Sequence, residues 1–221
     1  DRLLEYFSDL ALRQELIGIE AELLSGLDRY QADESPTWKL PLPNVHIGVS
    51  VEDQPWAHRV IDLLQVPAAV HFVSYEPALG NVDWTRIEGR VGGTYFNALS
   101  GRWDDDCICG PALDWIIAGG ESGPGARPSQ LAWYRKTQAQ CREHKVAFFM
   151  KQTGAFAITA IAAEANGGQA LGKVAQNEHG HLVEGWRLLT KDPKGETLEE
   201  WPEDIQVRQW PGQALVKRRG A

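Results

Sequence analysis

The chain has 221 residues, of which 43% are hydrophobic and 24% charged, and its formal net charge is −8. This composition is typical of a soluble globular protein with one sizeable core. No apolar run reaches the roughly 18 residues that a membrane-spanning helix needs, and no signal-peptide pattern opens the chain. The acidic balance disfavours broad binding to a phosphate backbone. We therefore expect a cytoplasmic protein without a membrane partner and without a strong nucleic-acid-binding signal.

The cysteines and histidines do not predict a metal site. Cys107, Cys109 and Cys141 are too few and too unevenly spaced for a disulfide framework. The Cys107–Cys109 pair has no second pair to complete a tetrahedral zinc site, and no histidines have metal-ligand spacing. We expect reduced thiols and no metal bound by this chain.

Alternating strand and helix patterns run through the first two thirds of the chain. Residues 1–30 have apolar side chains at helical spacing and predict an amphipathic helix. Four short apolar runs, at residues 45–51, 69–74, 113–118 and 146–150, predict strands, and helical patterns at 55–64 and 129–144 follow the first and third. Continuous apolar strands that alternate with helices are typical of parallel sheets. The prediction is an α/β fold, half of a (β/α)₈-type barrel, and a doubly wound open sheet remains the alternative.

The remaining segments predict additions to this core. Residues 81–111 are rich in Gly, Asp and Asn and predict a surface insertion with a hairpin near residues 92–96. Residues 155–175 are rich in Ala and Gly, which indicates a weak helix broken at Gly167 and Gly168. Because so polar a segment would hardly bury a core of its own, residues 155–221 are predicted to be an extension that wraps the barrel portion, residues 1–154.

Polar side chains follow each predicted strand, at the edge where parallel βα folds bind their ligands. Candidate acid, base or electrostatic groups are Glu52, Glu76, Glu121 and Lys151. Candidate cofactor contacts are Ser50, Ser74, Gly119, Gly120, Ser122 and Gln152, because hydroxyls, an amide and glycine-exposed N–H groups suit a polar ligand. Structural interpretations stay open: Asp53 as a helix cap, Lys151 as a counter-charge, and the glycines as a tight turn.

Several stretches resemble one family: residues 47–54, 72–80, 113–128 with its Gly-Gly-Glu-Ser-Gly motif, 148–154 and 200–209. They are similar to the phage protein "gene product 37 / gene product 68" family, a domain of unknown function. The resemblance implies a radical S-adenosylmethionine barrel, of which this chain is the C-terminal half. For the full-length protein it also implies S-adenosylmethionine and a 4Fe–4S cluster held by three cysteines. The expected C-x-x-x-C-x-x-C motif is absent here, so we expect an inactive fragment that binds no cofactor by that route.

Three functions remain open at this point. The leading hypothesis is a phage-related protein of uncharacterised function whose complete form acts on a small-molecule or nucleic-acid-derived substrate. The first alternative is a cofactor-independent small-molecule enzyme that uses the strand-end carboxylates and Lys151. The second is a non-enzymatic phage accessory or binding protein.

Overall fold

The structure is a computed structural model that describes residues 41, 43–89, 92–104, 110–176 and 181–212. The helix predicted over residues 1–30 and the Cys107–Cys109 pair lie outside these ranges. The described helices and strands are, in chain order, β1 (His46–Ser50), α1 (Arg59–Leu63), β2 (Val70–Tyr75), β3 (Ile87–Glu88), β4 (Tyr95–Asn97), β5 (Arg102–Trp103), β6 (Trp115–Gly119), β7 (Ser129–Gln130), α2 (Leu131–His144), β8 (Ala147–Gln152), β9 (Ala157–Thr159), β10 (Ala170–Gln176) and β11 (Leu182–Arg187).

The four predicted strands form one parallel sheet in the order β1-β2-β6-β8, which confirms the α/β prediction at that level. The register runs from His46 opposite Val70, through Phe72 opposite Trp115, to Trp115 opposite Ala147. Within the described ranges the sheet does not close into a barrel. Because all four strands are parallel, their carboxyl ends meet at one edge of the sheet.

One face of this sheet is covered by α2 and by the segment that follows β2, and we call it the helix face. Helix α2 begins after the extended residue Gln130 and ends at Lys145, whose φ of 62° is left-handed. The ring of its Tyr134 lies 6.4 Å from that of Tyr75, and Trp84 Nε1 donates to Thr137 Oγ1 at 3.0 Å. These side chains are fully buried. No helix in the described part of the chain is long and apolar enough to cross a membrane.

Residues 81–111 contain the three-stranded antiparallel sheet β3-β4-β5. Its buried side chains, Ile87 and Phe96, belong to the main hydrophobic core, and the rings of Phe96 and Trp103 lie 5.0 Å apart. A backbone hydrogen bond also ties this sheet to the core, since Ala98 N donates to the oxygen of the buried Trp84 at 2.9 Å.

Three strands of the extension form a second sheet with β7, which precedes α2, in the order β10-β11-β9-β7. The weak helix predicted over residues 155–175 is therefore wrong: this segment holds β9, most of β10 and a 3-10 turn at Ala162–Ala165. Pairing with β11 overrides the local preference of alanine for helix. Gly168 packs so closely on the backbone of Arg187 that a Cβ would collide with its carbonyl oxygen.

The extension then returns to the central sheet and covers its β8 edge. Met150 N donates to Val207 O at 2.7 Å, and Gln209 N donates to Phe148 O at 2.9 Å. Arg208 thereby lies opposite Phe149 in an antiparallel bridge. We call residues 206–210 the edge segment, since it pairs with the outer edge of β8 as a further strand would.

Candidate functional site

The side of the central sheet that points away from α2 carries the candidate site, and we call it the front face. Its lower half is aromatic: the ring of Trp210, from the edge segment, lies 4.9 Å from that of Trp115 and 5.4 Å from that of Phe149. Its upper half, at the carboxyl ends of the strands, is polar. Ser50 lies opposite Ser74 there, with Glu76 and Lys151 beyond them.

The loop after β2 fixes the position of Glu76. Ala78 N donates to Gly119 O at 2.9 Å, and Leu79 N donates to Glu52 O at 2.8 Å. These two bonds tie the loop to the ends of β6 and β1, so that it crosses the carboxyl edge of the sheet. A Cβ on Gly119 would collide with Oε1 of Glu76. The glycine therefore makes room for the carboxylate.

Glu76 and Lys151 form a loose ion pair. Lys151 Nζ lies 3.4 Å from both carboxylate oxygens, and Ser74 Oγ donates to Oε2 at 3.4 Å. The Glu76 side chain is 17% exposed and that of Lys151 53%. Burial raises the pKa of Glu76, and the neighbouring ammonium lowers it only in part. Contacts of this length are at the limit for hydrogen bonds, so a ligand can replace them at small cost.

Strand alternation places Lys151 on the front face with Phe149, since Met150 between them is buried. Ala118 pairs with Met150 and Gly119 pairs with Gln152, which leaves Lys151 without a partner residue on β6. Gln152 is buried instead, and its Nε2 donates to Gly120 O at 2.7 Å. Of these two predicted site residues, Lys151 thus reaches the polar end of the front face and Gln152 holds the backbone beneath it.

The other two predicted carboxylates each have a guanidinium of their own. Glu121 accepts three hydrogen bonds from Arg127, from Nε at 2.9 Å, Nη2 at 2.8 Å and the backbone N at 2.7 Å. Glu52 lies 3.2 Å from Arg59 Nη1, which also donates to Ser50 O at 2.9 Å. Each of these two ion pairs joins residues six or seven positions apart in the chain, and its contacts are shorter than those of Glu76. Of the three predicted carboxylates, Glu76 therefore makes the longest ion-pair contacts with its cationic partner.

Replacing Arg127 with glutamine is expected to raise the pKa of Glu121 from about 2 toward its ordinary 4.5, because the hydrogen bonds from the guanidinium hold it down. In the parent chain the ionised form is favoured on folding, and this preference is lost only as pH falls through the depressed pKa. In the variant, this preference for the ionised form is lost at a higher pH. Carboxyl carbon shifts followed by NMR during a pH titration measure the change, with Arg59→Gln as the control; an unchanged Glu121 titration would refute the assignment.

The remaining predicted residues lie around this pair. Gly120 is buried against the backbone of Thr153, Ser122 is exposed in the turn that Gly123 closes with a φ of 94°, and Ser50 is exposed on β1. The structure thus brings together Ser74, Glu76, Gly119 and Lys151 at one point. Whether any of the predicted residues binds a cofactor stays a prediction.

The sequence pattern predicts a wrong role for Asp53 and gives no indication of Arg208. Asp53 lies at the N-cap position of a 3-10 turn, but its side chain makes no capping bond, so that prediction is wrong. Its Oδ1 is buried without a hydrogen-bond partner in the described ranges. Arg208 donates to Met150 O at 3.2 Å and to Lys151 O at 3.1 Å. A local pattern could not have indicated it, because it meets Lys151 across 57 residues.

The described residues do not fit an iron–sulfur cluster. Among them no three His, Cys, Asp or Glu side chains converge as a metal site. The one cysteine they include, Cys141, is buried in the core, and burial raises the pKa of its thiol. A cluster needs thiolates, so we assign no step to iron in this part of the chain.

Comparison with known proteins identifies a family without assigning an activity. A family model described as protein of unknown function (DUF5131) matches residues 11–199. No curated protein and no solved structure matches the chain. The matched range includes the whole central sheet, the loop that carries Glu76 and the second sheet. Because it covers far more than half of the sequence, the chain belongs to the family described as protein of unknown function (DUF5131).

Proposed function

We propose that this chain is the C-terminal part of a phage-related enzyme with a partial βα-barrel of the radical S-adenosylmethionine type. In this proposal the front face binds the amino-acid part of S-adenosylmethionine. The observation that carries it is the Glu76–Lys151 pair, two opposite charges 3.4 Å apart at the carboxyl ends of parallel strands. Such an edge is where βα-barrels bind their ligands.

The strand order supports a barrel portion over a doubly wound sheet. The strands follow one another in sequence without reversal, β1-β2-β6-β8. Right-handed crossovers that all move in one direction put their helices on the same face, whereas a doubly wound sheet reverses its order and has helices on both faces. The other face then becomes the interior of a barrel, and here that face carries Glu76 and Lys151.

The charges of the pair are complementary to a zwitterion. A ligand ammonium can replace Lys151 as the ion-pair partner of Glu76. A ligand carboxylate can then bind the amine of Lys151. Because Glu76 is mostly buried, a cation brought by the ligand gains more from it than from a solvated carboxylate. Neither Glu52 nor Glu121 is available to a ligand cation in this way, since each is already paired with an arginine.

The cofactor, when bound, would supply radical chemistry. The work of this chain is then binding and orientation. Glu76 holds an ammonium, Lys151 holds a carboxylate, and Ser74 supplies a further hydroxyl. The loop bonds from Ala78 and Leu79 keep Glu76 in place during binding.

A cofactor-independent enzyme is the second candidate, and the raised pKa of Glu76 favours it. A carboxyl whose pKa lies closer to neutrality can act as a general acid. Lys151 beside it could then stabilise developing negative charge. This candidate predicts turnover of a substrate without S-adenosylmethionine and without any metal.

Glu76→Gln is expected to weaken the binding of S-adenosylmethionine by about 10- to 100-fold, the usual value of a hydrogen bond between charged groups. Isothermal titration calorimetry at pH 7 measures this loss of affinity.

The stability of the Glu76→Gln variant should not fall. Since the pKa of Glu76 is raised on folding, its ionisation costs stability as pH rises through that pKa. Glutamine removes this cost, so we expect the variant to be at least as stable as the parent chain at pH 7.

Glu143→Gln is the control, because Glu143 has the same charge and is exposed on α2. It should bind as the parent chain does. No heat of binding from the parent chain at millimolar S-adenosylmethionine would overturn the proposed function. Parent-like binding by Glu76→Gln would overturn the role of Glu76.

A further inference from the structure

A cleft of about 590 Å³ lies between α2 and the second sheet, and we call it the lateral cleft. None of its lining residues belongs to the candidate site on the front face. Its apolar lining comes from α2, β9, β10 and the segment after β9, and consists of Ala132, Ile158, Ala160, Ile161 and Ala175. Clefts of this size, apolar with a few polar groups, are typical of sites for small molecules.

The carboxylates of the lateral cleft are already engaged. Arg135 Nε donates to Asp204 Oδ2 at 2.7 Å, and its Nη2 donates to Asp204 Oδ1 at 3.1 Å and to Glu164 Oε1 at 2.6 Å. The other oxygen of Glu164 accepts from Thr159 Oγ1 at 2.6 Å. A ligand cation would have to compete with this arginine, which binds Asp204 through two parallel bonds.

The two amides of the lateral cleft are fixed in orientation. Gln130 Oε1 accepts from Gln176 N at 2.7 Å, and Gln130 Nε2 donates to Val174 O at 3.4 Å. Trp133 Nε1 donates to Gln176 Oε1 at 3.0 Å. Because an indole nitrogen is a donor only, this bond determines which end of the Gln176 amide is the oxygen. The Nε2 of Gln176 has no acceptor within the described ranges.

The polar side-chain groups that remain unengaged in the lateral cleft are donors. In the described part of the chain, no carboxylate lies within ion-pair distance of Lys136, although Asp83 feels its charge from farther away. Arg135 Nη1 likewise has no acceptor among the described residues. With Gln176 Nε2 these make three donors, one of which carries a full positive charge without an ion-pair partner. Such a set favours a ligand that brings a negatively charged acceptor.

We propose that the lateral cleft binds a small apolar carboxylate, whose charged end pairs with Lys136 and whose apolar body packs on Ile158 and Ile161. The inference is independent of the proposed function, because it uses no residue of the front face. Ile161 is 49% exposed and Ile158 is buried. An apolar body in the cleft removes the side chain of Ile161 from water, which favours binding.

The test uses two probes of the same shape, 4-phenylbutyrate and its uncharged amide, 4-phenylbutanamide. Backbone amide shifts followed by NMR during a titration measure both affinities. The parent chain should bind 4-phenylbutyrate with a Kd of about 1 mM, and the uncharged probe about 10-fold more weakly, because it lacks the charge-assisted bond. Lys136→Gln should weaken the binding of 4-phenylbutyrate about 10-fold and that of the amide by less than about twofold.

Lys145→Gln is the matched control, because Lys145 is an exposed lysine at the other end of α2, and it should leave both affinities unchanged. Ile161→Ser should weaken both probes alike. Equal affinities of the parent chain for the two probes would overturn the carboxylate preference. Equal losses for both in Lys136→Gln would overturn the role of Lys136 as charge partner. No shift changes in α2 and β9 at about 20 mM 4-phenylbutyrate would overturn the site itself.

Discussion

Gly120→Ala is expected to lower the free energy of unfolding by about 3 kcal/mol, the upper range for overpacking a core. A Cβ at Gly120 would collide with the carbonyl oxygen of Thr153 and lie 2.9 Å from Gly154 Cα. These are backbone atoms of the turn after β8, so no flexible side chain can move aside. The sheet must separate where Gly120 N donates to Gln152 O at 3.1 Å.

Urea denaturation followed by circular dichroism measures this loss. Gly92→Ala is the control, because a Cβ there has no atom within 4 Å, and its effect should stay within about 0.5 kcal/mol. A loss below about 1 kcal/mol for Gly120→Ala would show that the two backbones can separate without cost. In that case the fold would not require a glycine at this position, and its role would be to leave space for a ligand.

Gln209→Pro is expected to detach the edge segment and to cost about 3 kcal/mol. Proline removes the N–H that donates to Phe148 O, and the side-chain oxygen that accepts from Phe148 N at 3.1 Å. The backbone oxygen that accepts from Trp115 Nε1 at 3.0 Å is displaced as well. Trp210 then leaves the aromatic cluster, so tryptophan emission should shift to longer wavelength along with the loss of stability.

Gln209→Ala separates the two contributions. It keeps the backbone N–H and loses only the side-chain acceptor, for which we expect about 1 kcal/mol. Similar losses for the two variants would mean that the backbone pairing contributes little.

The central sheet could be predicted because its strands are continuous apolar runs, such as the one that becomes β2 with Val73 and Tyr75 buried. The edge at which Glu76 and Lys151 meet followed from parallel pairing alone. Which carboxylates are engaged by arginines did not follow, because Glu121 meets Arg127 through a turn whose geometry depends on Gly123 and Gly125. The register shift that pairs Gly119 with Gln152 likewise leaves no signal in the hydrophobic pattern.

The second sheet and the edge segment were beyond prediction for a different reason. Strands of two or three residues, such as β7 and β9, have no periodicity of their own. They form because distant segments pair with them, and alanine-rich sequence there indicates helix. Arg208 belongs to the same class, since only the pairing of residues 206–210 with β8 puts it on the front face.

The edge segment also has a consequence for how the chain reaches its native state. It joins β8 across a sequence separation of 57 residues, and such non-local pairing comes late and slowly in folding. Until it arrives, β8 presents unpaired backbone groups beside the aromatic rings of Trp115 and Phe149. An exposed strand edge of this kind recruits other chains. Aggregation during refolding should therefore rise with protein concentration, and a peptide of residues 204–212 added in excess should suppress it by occupying the β8 edge first.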